Sequence, residues 1–222
     1  MHIIQKQILE TLTFHEIVRF AALRPLKVES NLYSYHLKLL IKDGYINKTN
    51  NGYTLAPKGL MHVDRISTDK FELRQQPKII TILVIENEKG EILLWRRNKQ
   101  PFINTWSLIS GKTHIDDPSI EAAALREAKE KIGLSLKRAQ HVGDCYVKHI
   151  QDGETISAIF GHVFYAKCIN KQLAQNTIWW KRGEALLPGS EKLINLTLKQ
   201  QKNGVNFFEE IFTQNIDKTY II

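Results

Sequence analysis

Cysteine is scarce. Cys145 and Cys168 are the only two in 222 residues, too few for the disulfide framework of a small secreted domain. Long apolar runs are missing as well: no stretch approaches the ~20 residues a membrane-spanning helix needs, so no membrane partner is expected. The opening MHIIQKQILETL contains acidic Glu10 and has neither a basic n-region nor a cleavage site, which argues against a signal peptide. Internal repeats and low-complexity tracts are absent too. His114, His141, His149 and His162 lack metal-ligand spacing, so no zinc site is expected. These absences together lead to an expectation of a cytoplasmic protein.

The rest of the composition is that of a globular chain, 43% hydrophobic and 24% charged, long enough for one large domain or two small ones. Its charge is unbalanced, with a formal net charge of +8 and a pI near 9.4. Such a balance favours anionic partners, nucleotides or nucleic acid.

Two textures divide the sequence. Residues 1–68 have helical periodicity with one hairpin, 69–77 are polar and end in Pro77 as a linker does, 78–202 are rich in strand patterns, and 203–222 form a tail. In the first region Ile4, Ile8, Leu9 and Leu12 fall at helical spacing, and a short helical piece near Ile17–Leu23 closes at Arg24-Pro25. Ser30 is the expected cap of a helix ending at Gly44, with Tyr33, Leu37, Leu40 and Ile41 on one side. Asn50-Asn51-Gly52 joins two short strands, Asn-Gly being a strong hairpin signal. Pro57 opens a last helix over 58–66.

Helix, helix, helix, two-stranded ribbon, helix is the order of a winged helix-turn-helix, and HLKLLIKDGYINKTNNGYTLAPKGL resembles the recognition helix, wing and closing helix of that family. The resemblance implies DNA binding through a helix in the major groove. The exposed side would present Asn31, Ser34, Tyr35, Lys38 and Lys42, with Lys48 near the wing beside phosphates. That side has no arginine for a bidentate guanine contact. The alternative is a docking or dimerisation module whose lysines solvate a helix face.

In the second region Ile79–Ile85 and Glu91–Arg97 form a strand pair, Thr105–Ile109 leads to a glycine loop, and a helix follows. Further strands are expected at 141–150, 157–169 and from Ile178, and Ser190 would cap a helix over 191–201. Phe207, Phe208 and Phe212 suggest a short amphipathic helix in the tail.

The loop and helix read GKTHIDDPSIEAAALREAKEKIGL, Gly111 to Leu134. Asp117-Pro118 is a start signal, an aspartate cap with proline at the first helical position, and Gly133 is a stop. Glu127 and Glu130 share a helix face, as two ligands of one hard cation must. The segment resembles the signature box of the Nudix hydrolases, G-x5-E-x7-R-E-U-x-E-E-x-G-U, where U is aliphatic. It departs from the box in three ways: Asp117 replaces the first glutamate, one extra residue precedes Arg126, and Lys131 replaces the second glutamate of the pair.

The combined resemblances imply an α+β protein, an N-terminal winged helix-turn-helix plus a C-terminal Nudix α/β/α sandwich with a mixed sheet. They imply Mg²⁺ or Mn²⁺ held by Glu127, Glu130, the Gly111 carbonyl and Asp117, with Arg126 orienting the carboxylates. Glu127, Glu130 and Arg126 would be the catalytic group, and Lys112, Arg96 and Lys131 would contact phosphate, with Arg97 an alternative to Arg96. Lys131 has no lone pair to offer a metal. It would either weaken metal binding or take the cation's place.

Two functions follow from these expectations. One is hydrolysis of a phosphoanhydride in a nucleoside diphosphate linked to another group. The other is a transcriptional regulator whose Nudix domain senses a nucleotide-type small molecule. A homodimer is compatible with both modules.

Overall fold

Helix α1, Ile3–Thr13, begins with a reciprocal cap: His2 Nδ1 accepts from the Ile4 N–H at 3.2 Å, and Gln5 Oε1 accepts from the His2 N–H at 3.0 Å. It is seen in a computed structural model that describes residues 1–67, 72–73, 75–169, 174–181, 186, 189–203 and 207–215. The chain divides into two units, Met1–Gln75 and Gln76–Ile222.

In the first unit α1 buries Ile4, Ile8, Leu9 and Leu12 against α3, Ser30–Lys42, which buries Tyr33, His36, Leu37 and Leu40. Ser30, expected as the cap of α3, is instead its first residue; Glu29 takes the cap position without a side-chain hydrogen bond. The short α2, Phe20–Leu23, is tied to α3 where the buried Tyr33 hydroxyl donates to the Phe20 carbonyl at 3.0 Å. Strands β1, Ile46–Thr49, and β2, Gly52–Leu55, form the ribbon, and Val18 bridges to Tyr53.

Helix α4, Pro57–Val63, is shorter than the expected 58–66. Its chain leaves the helix at Ile66–Ser67, β3, which pairs antiparallel with Glu72–Leu73, β4. Part of the expected linker is therefore engaged in a ladder, because two backbone pairs replace the last helical turn.

The second unit is built on β5, Lys78–Glu86. Ile82 and Val84 point to one face, Leu83 and Ile85 to the other, and all four are buried. Fully burying one such side chain is worth roughly 1.5–3 kcal/mol. Strands β6 (Ile92–Arg96), β7 (Trp106–Ser107) and β8 (Ile109–Lys112) precede helix α5 (Ile120–Ile132). Then come β9 (Gln140–Gln151), β10 (Glu154–Lys167), β11 (Thr177–Trp180), helix α6 (Ser190–Asn203) and β12 (Phe208–Asn215).

The sheet order is β11-β6-β5-β10-β9-β12, with β7 on β6 and β8 on β5. β10 runs parallel to β5 and β12 parallel to β9, while the other pairs are antiparallel, so the sheet is mixed. Ala124, Ala128 and Ile132 of α5 pack on the face of Leu83 and Phe164; Leu193 and Ile194 of α6 pack on the face of Ile82 and Val163. The result is three layers, helix, sheet and helix.

The tail differs from its expected helix. Phe208 and Phe212 do pack on the core, but through a strand: exposure alternates along 207–213, with Phe208, Glu210 and Phe212 turned inward. Four-residue spacing fits both periods, and the open edge of β9 decides for the strand. Among the described residues no helix is long and apolar enough to cross a membrane.

Gly59 lies inside α4, where alanine would ordinarily gain about 1 kcal/mol of helix propensity. A Cβ there would land on the Tyr45 carbonyl oxygen. Gly59→Ala should therefore destabilise the first unit by roughly 2 kcal/mol despite that gain. Urea unfolding followed by circular dichroism measures it, and unchanged or increased stability would refute the close contact.

Candidate functional site

The site begins with the way α5 lies on the sheet. Ala123, Ala124 and Ala128 are fully buried, and their small side chains let the helix backbone approach β5 and β8 closely. Ser119, not Asp117, is the cap: its Oγ accepts from the Ala122 N–H at 3.0 Å. Asp117 is unavailable for capping because its carboxylate accepts from the His114 N–H at 2.6 Å and from Arg126. The helix stops at Gly133, in the left-handed region at φ 67°, as expected.

Arg126 joins the loop to the helix. Its Nε and Nη2 donate to the two oxygens of Asp117 at 2.8 Å each, and Nη2 also donates to the Lys112 carbonyl at 3.0 Å. Nη1 reaches Glu127 Oε1 at 3.0 Å and Glu130 Oε2 at 3.4 Å. The Arg126 hydrogen bonds hold the Asp117 carboxyl well below the usual carboxylate range.

Glu127 is buried, 6% exposed, against Gly111. A Cβ at Gly111 would fall on the Glu127 carboxylate, so this position admits only glycine while the carboxylate stays in place. The other oxygen, Oε2, meets Lys131 Nζ at 2.8 Å. The same ammonium donates to the Ser110 carbonyl and lies 5.1 Å from the centre of the Trp95 ring. Burial pulls the Lys131 pKa down, opposed by its hydrogen bond to Glu127.

These groups open onto a cleft of about 600 Å³. Gly111, Lys112, Glu127, Glu130 and Lys131 all line it, so the structure brings together five of the residues singled out in the sequence. Arg96 is not among them: it is exposed, and its Nε donates to the Asn104 carbonyl at 3.2 Å. The adjacent Arg97 takes the inward place. Asp117 stands behind the wall, bound to Arg126. In the first unit Asn31, Tyr35, Lys38, Lys42 and Lys48 are exposed, and Ser34 is half-buried.

The cleft also contains residues that sequence reasoning left out. Lys78 and Lys99 add charge, and Lys78 Nζ donates to Ser157 Oγ at 3.0 Å. Phe102 and His149 pack ring to ring with centroids 5.0 Å apart. His149 is buried, and its Nδ1 has no hydrogen-bond partner among the described residues. Burial, with Lys78 and Arg97 nearby, lowers its pKa to about 4. Only the fold brings β9 across from β5 and β6, so no local pattern could have marked His149.

Tested against a divalent cation, this donor set fits poorly. Both Glu127 oxygens are taken by cations, both Asp117 oxygens belong to Arg126, and an ammonium stands beside the buried carboxylate. A hard cation would have to displace Lys131 and share Glu127 with Arg126.

His149 makes stability depend on pH. Its folded pKa lies below the ordinary 6.5, so the unfolded chain takes up the proton first as pH falls. Stability should decline from about pH 6.5 towards pH 4 and level off in this contribution below that. His149→Phe should flatten this part of a melting-temperature profile against pH; an unchanged slope would show that His149 is not the responsible group.

Residues 76–186 match the NUDIX domain family. The NUDIX domain of Shewanella oneidensis NrtR, solved in complex with ADP ribose, aligns with a TM-score of 0.51 at 14% identity, covering 64% of this chain and 97% of that one. A MutT protein from Methanosarcina mazei Go1 aligns at 0.48 and 23% identity, covering 60% of this chain and all (100%) of its own. The former likeness is one of fold. Curated proteins gave no match. With half its length matched by the family, over β5 to β11, the glycine loop and α5, the chain belongs to the NUDIX family.

Proposed function

We propose that the second unit binds a nucleoside diphosphate-linked ligand without a resident metal, and that the first unit is a winged helix whose DNA binding responds to that ligand. The observation that carries this reading is the place of Lys131. Its ammonium is fixed by Glu127 and Ser110 at the mouth of the glycine loop, where the family's box would hold a second glutamate. Around it Lys78, Arg97, Lys99 and Lys112 line the cleft against two carboxylates, Glu127 and Glu130. Charge of that sign, partly desolvated, suits a diphosphate. Phe102 and Trp95 add apolar surface for the rest of the ligand.

In the first unit the helix–helix–helix–ribbon–helix order and the exposed Asn31, Tyr35, Lys38 and Lys42 along α3 support the DNA-binding reading. The competing reading is metal-dependent hydrolysis of the same ligand class. It is favoured by Glu127 and Glu130 lying on one face of α5 under a shared Arg126.

ADP ribose, the ligand in the NrtR domain, is the first probe. Calorimetry in EDTA should show saturable binding, weakened about 10–100-fold by Lys131→Ala, the range of one lost charge-assisted hydrogen bond, and less by Lys99→Ala at the exposed rim. A labelled DNA shifted by the protein should be released by the same ligand. Turnover of ADP ribose or a nucleotide sugar in Mg²⁺ or Mn²⁺, abolished in Glu127→Gln, would overturn the sensor reading in favour of hydrolysis.

A further inference from the structure

On the other side of β9 from its buried Cys145 and Val147 lies a cluster that the cleft does not use. His162 Nδ1 is 2.7 Å from Asp144 Oδ1, and His141 Nε2 is 2.9 Å from the same oxygen. The three ligand atoms lie within 4.8 Å of one another. Two imidazole nitrogens and a carboxylate oxygen are the donors that borderline divalent cations select, zinc above all.

A backbone irregularity builds the cluster. In a regular strand residues three apart point to opposite faces, which would separate His141 from Asp144. The pairing of β9 with β10 slips between Val163 and Phe164: Val163 faces Gly143, Phe164 faces His141, and Val142 is the extra residue. Val142 consequently turns inward with Cys145 and Val147, and His141 swings to the face of Asp144. His162 is the direct cross-strand partner of Asp144. Bulges of this kind re-aim side chains and recur beside functional sites.

The surroundings fix the rings. His141 stacks on Phe164 with centroids 4.9 Å apart and 22° between planes, and meets the edge of Phe207 at 4.9 Å. Phe160 flanks His162 at 5.2 Å. Such packing holds the nitrogens in place on a partly solvent-exposed site. On β12, Glu209 is the parallel backbone partner of Asp144 and is exposed.

Ligand atoms around a tetrahedral ion with bonds of about 2.0–2.1 Å lie about 3.3 Å apart. The observed 2.7 and 2.9 Å separations would have to open by about half an ångström, within reach of small side-chain rotations.

We propose that His141, Asp144 and His162 form a binding site for a first-row transition-metal dication, best matched by Zn²⁺, separate from the cleft and open to a further ligand. Bound there, the ion would cross-link β9 to β10 beside the C-terminal strand. The site does not depend on the ligand or the reaction of the cleft.

Cobalt is the probe, since Co²⁺ in such a site absorbs in the visible while Mg²⁺ does not compete for nitrogen donors. The metal-free full chain should bind one equivalent of Co²⁺ at micromolar concentration, with Zn²⁺ displacing it and the bands disappearing. His162→Ala and His141→Ala should each weaken binding by at least about tenfold; His141 is the more exposed of the two, so its variant keeps the test open if His162→Ala folds poorly. Glu127→Gln should bind Co²⁺ as the unaltered chain does. No binding of Co²⁺ or Zn²⁺, binding by both histidine variants as tight as that of the unaltered chain, or loss in Glu127→Gln alone would overturn the proposal.

Discussion

The guanidinium of Arg126 is the constraint on which the site depends. It satisfies two carboxylate oxygens of Asp117, one of Glu127, one of Glu130 and a backbone carbonyl. Without it Asp117 would keep only the His114 N–H and Glu127 only the Lys131 ammonium among their described contacts, and the three carboxylates would lose the cation they share. A planar fork can serve partners on both sides of the loop at once, which a lysine's point charge cannot. Arg126 thus ties the loop from Lys112 to Asp117 to α5, while the pairing of β8 with β5 sets Gly111 against Glu127.

Lys131 completes the arrangement with the opposite emphasis. A buried carboxylate stripped of water is costly unless paired, and Glu127 is paired with two cations, Arg126 and Lys131. The lysine is itself desolvated, which lowers its pKa, and its hydrogen bond to Glu127 opposes that shift. A cleft assembled in this way is cationic at its rim and neutralised at its base. That distribution gathers lysine and arginine charge around the cleft while both Glu127 oxygens are engaged by Arg126 and Lys131.

Much of this was legible in the sequence where the signals are local. The run of β5, the Asn-Gly ribbon, the strands of β9 and β10, and Gly133 closing α5 all follow from local composition and turn residues that neighbours hardly alter. Arg126, Glu127 and Lys131 were legible as a group, although the Ser110 carbonyl that receives Lys131 was not, since it lies across the fold. Asp117 misled because an aspartate before a proline suits a cap, and only the nearby guanidinium shows why Ser119 does that work instead. The tail misled because Phe208 and Phe212 are four apart, a spacing common to two periods. His141 and Asp144 stayed separate on paper because a bulge shifts parity, and no sequence pattern announces an extra residue in a ladder.

The C-terminal strand has one further consequence. Without β12, the long strand β9 would present its unpaired N–H and C=O groups along most of its length, an invitation to edge-to-edge association with any extended chain. β12 occupies that margin from Gly143 to Ile150 and is anchored to α6 where Lys192 meets Glu210 at 2.8 Å. On β12 the exposed Glu209 sets a charge beside the covered strand, while Glu210 is turned in to Lys192.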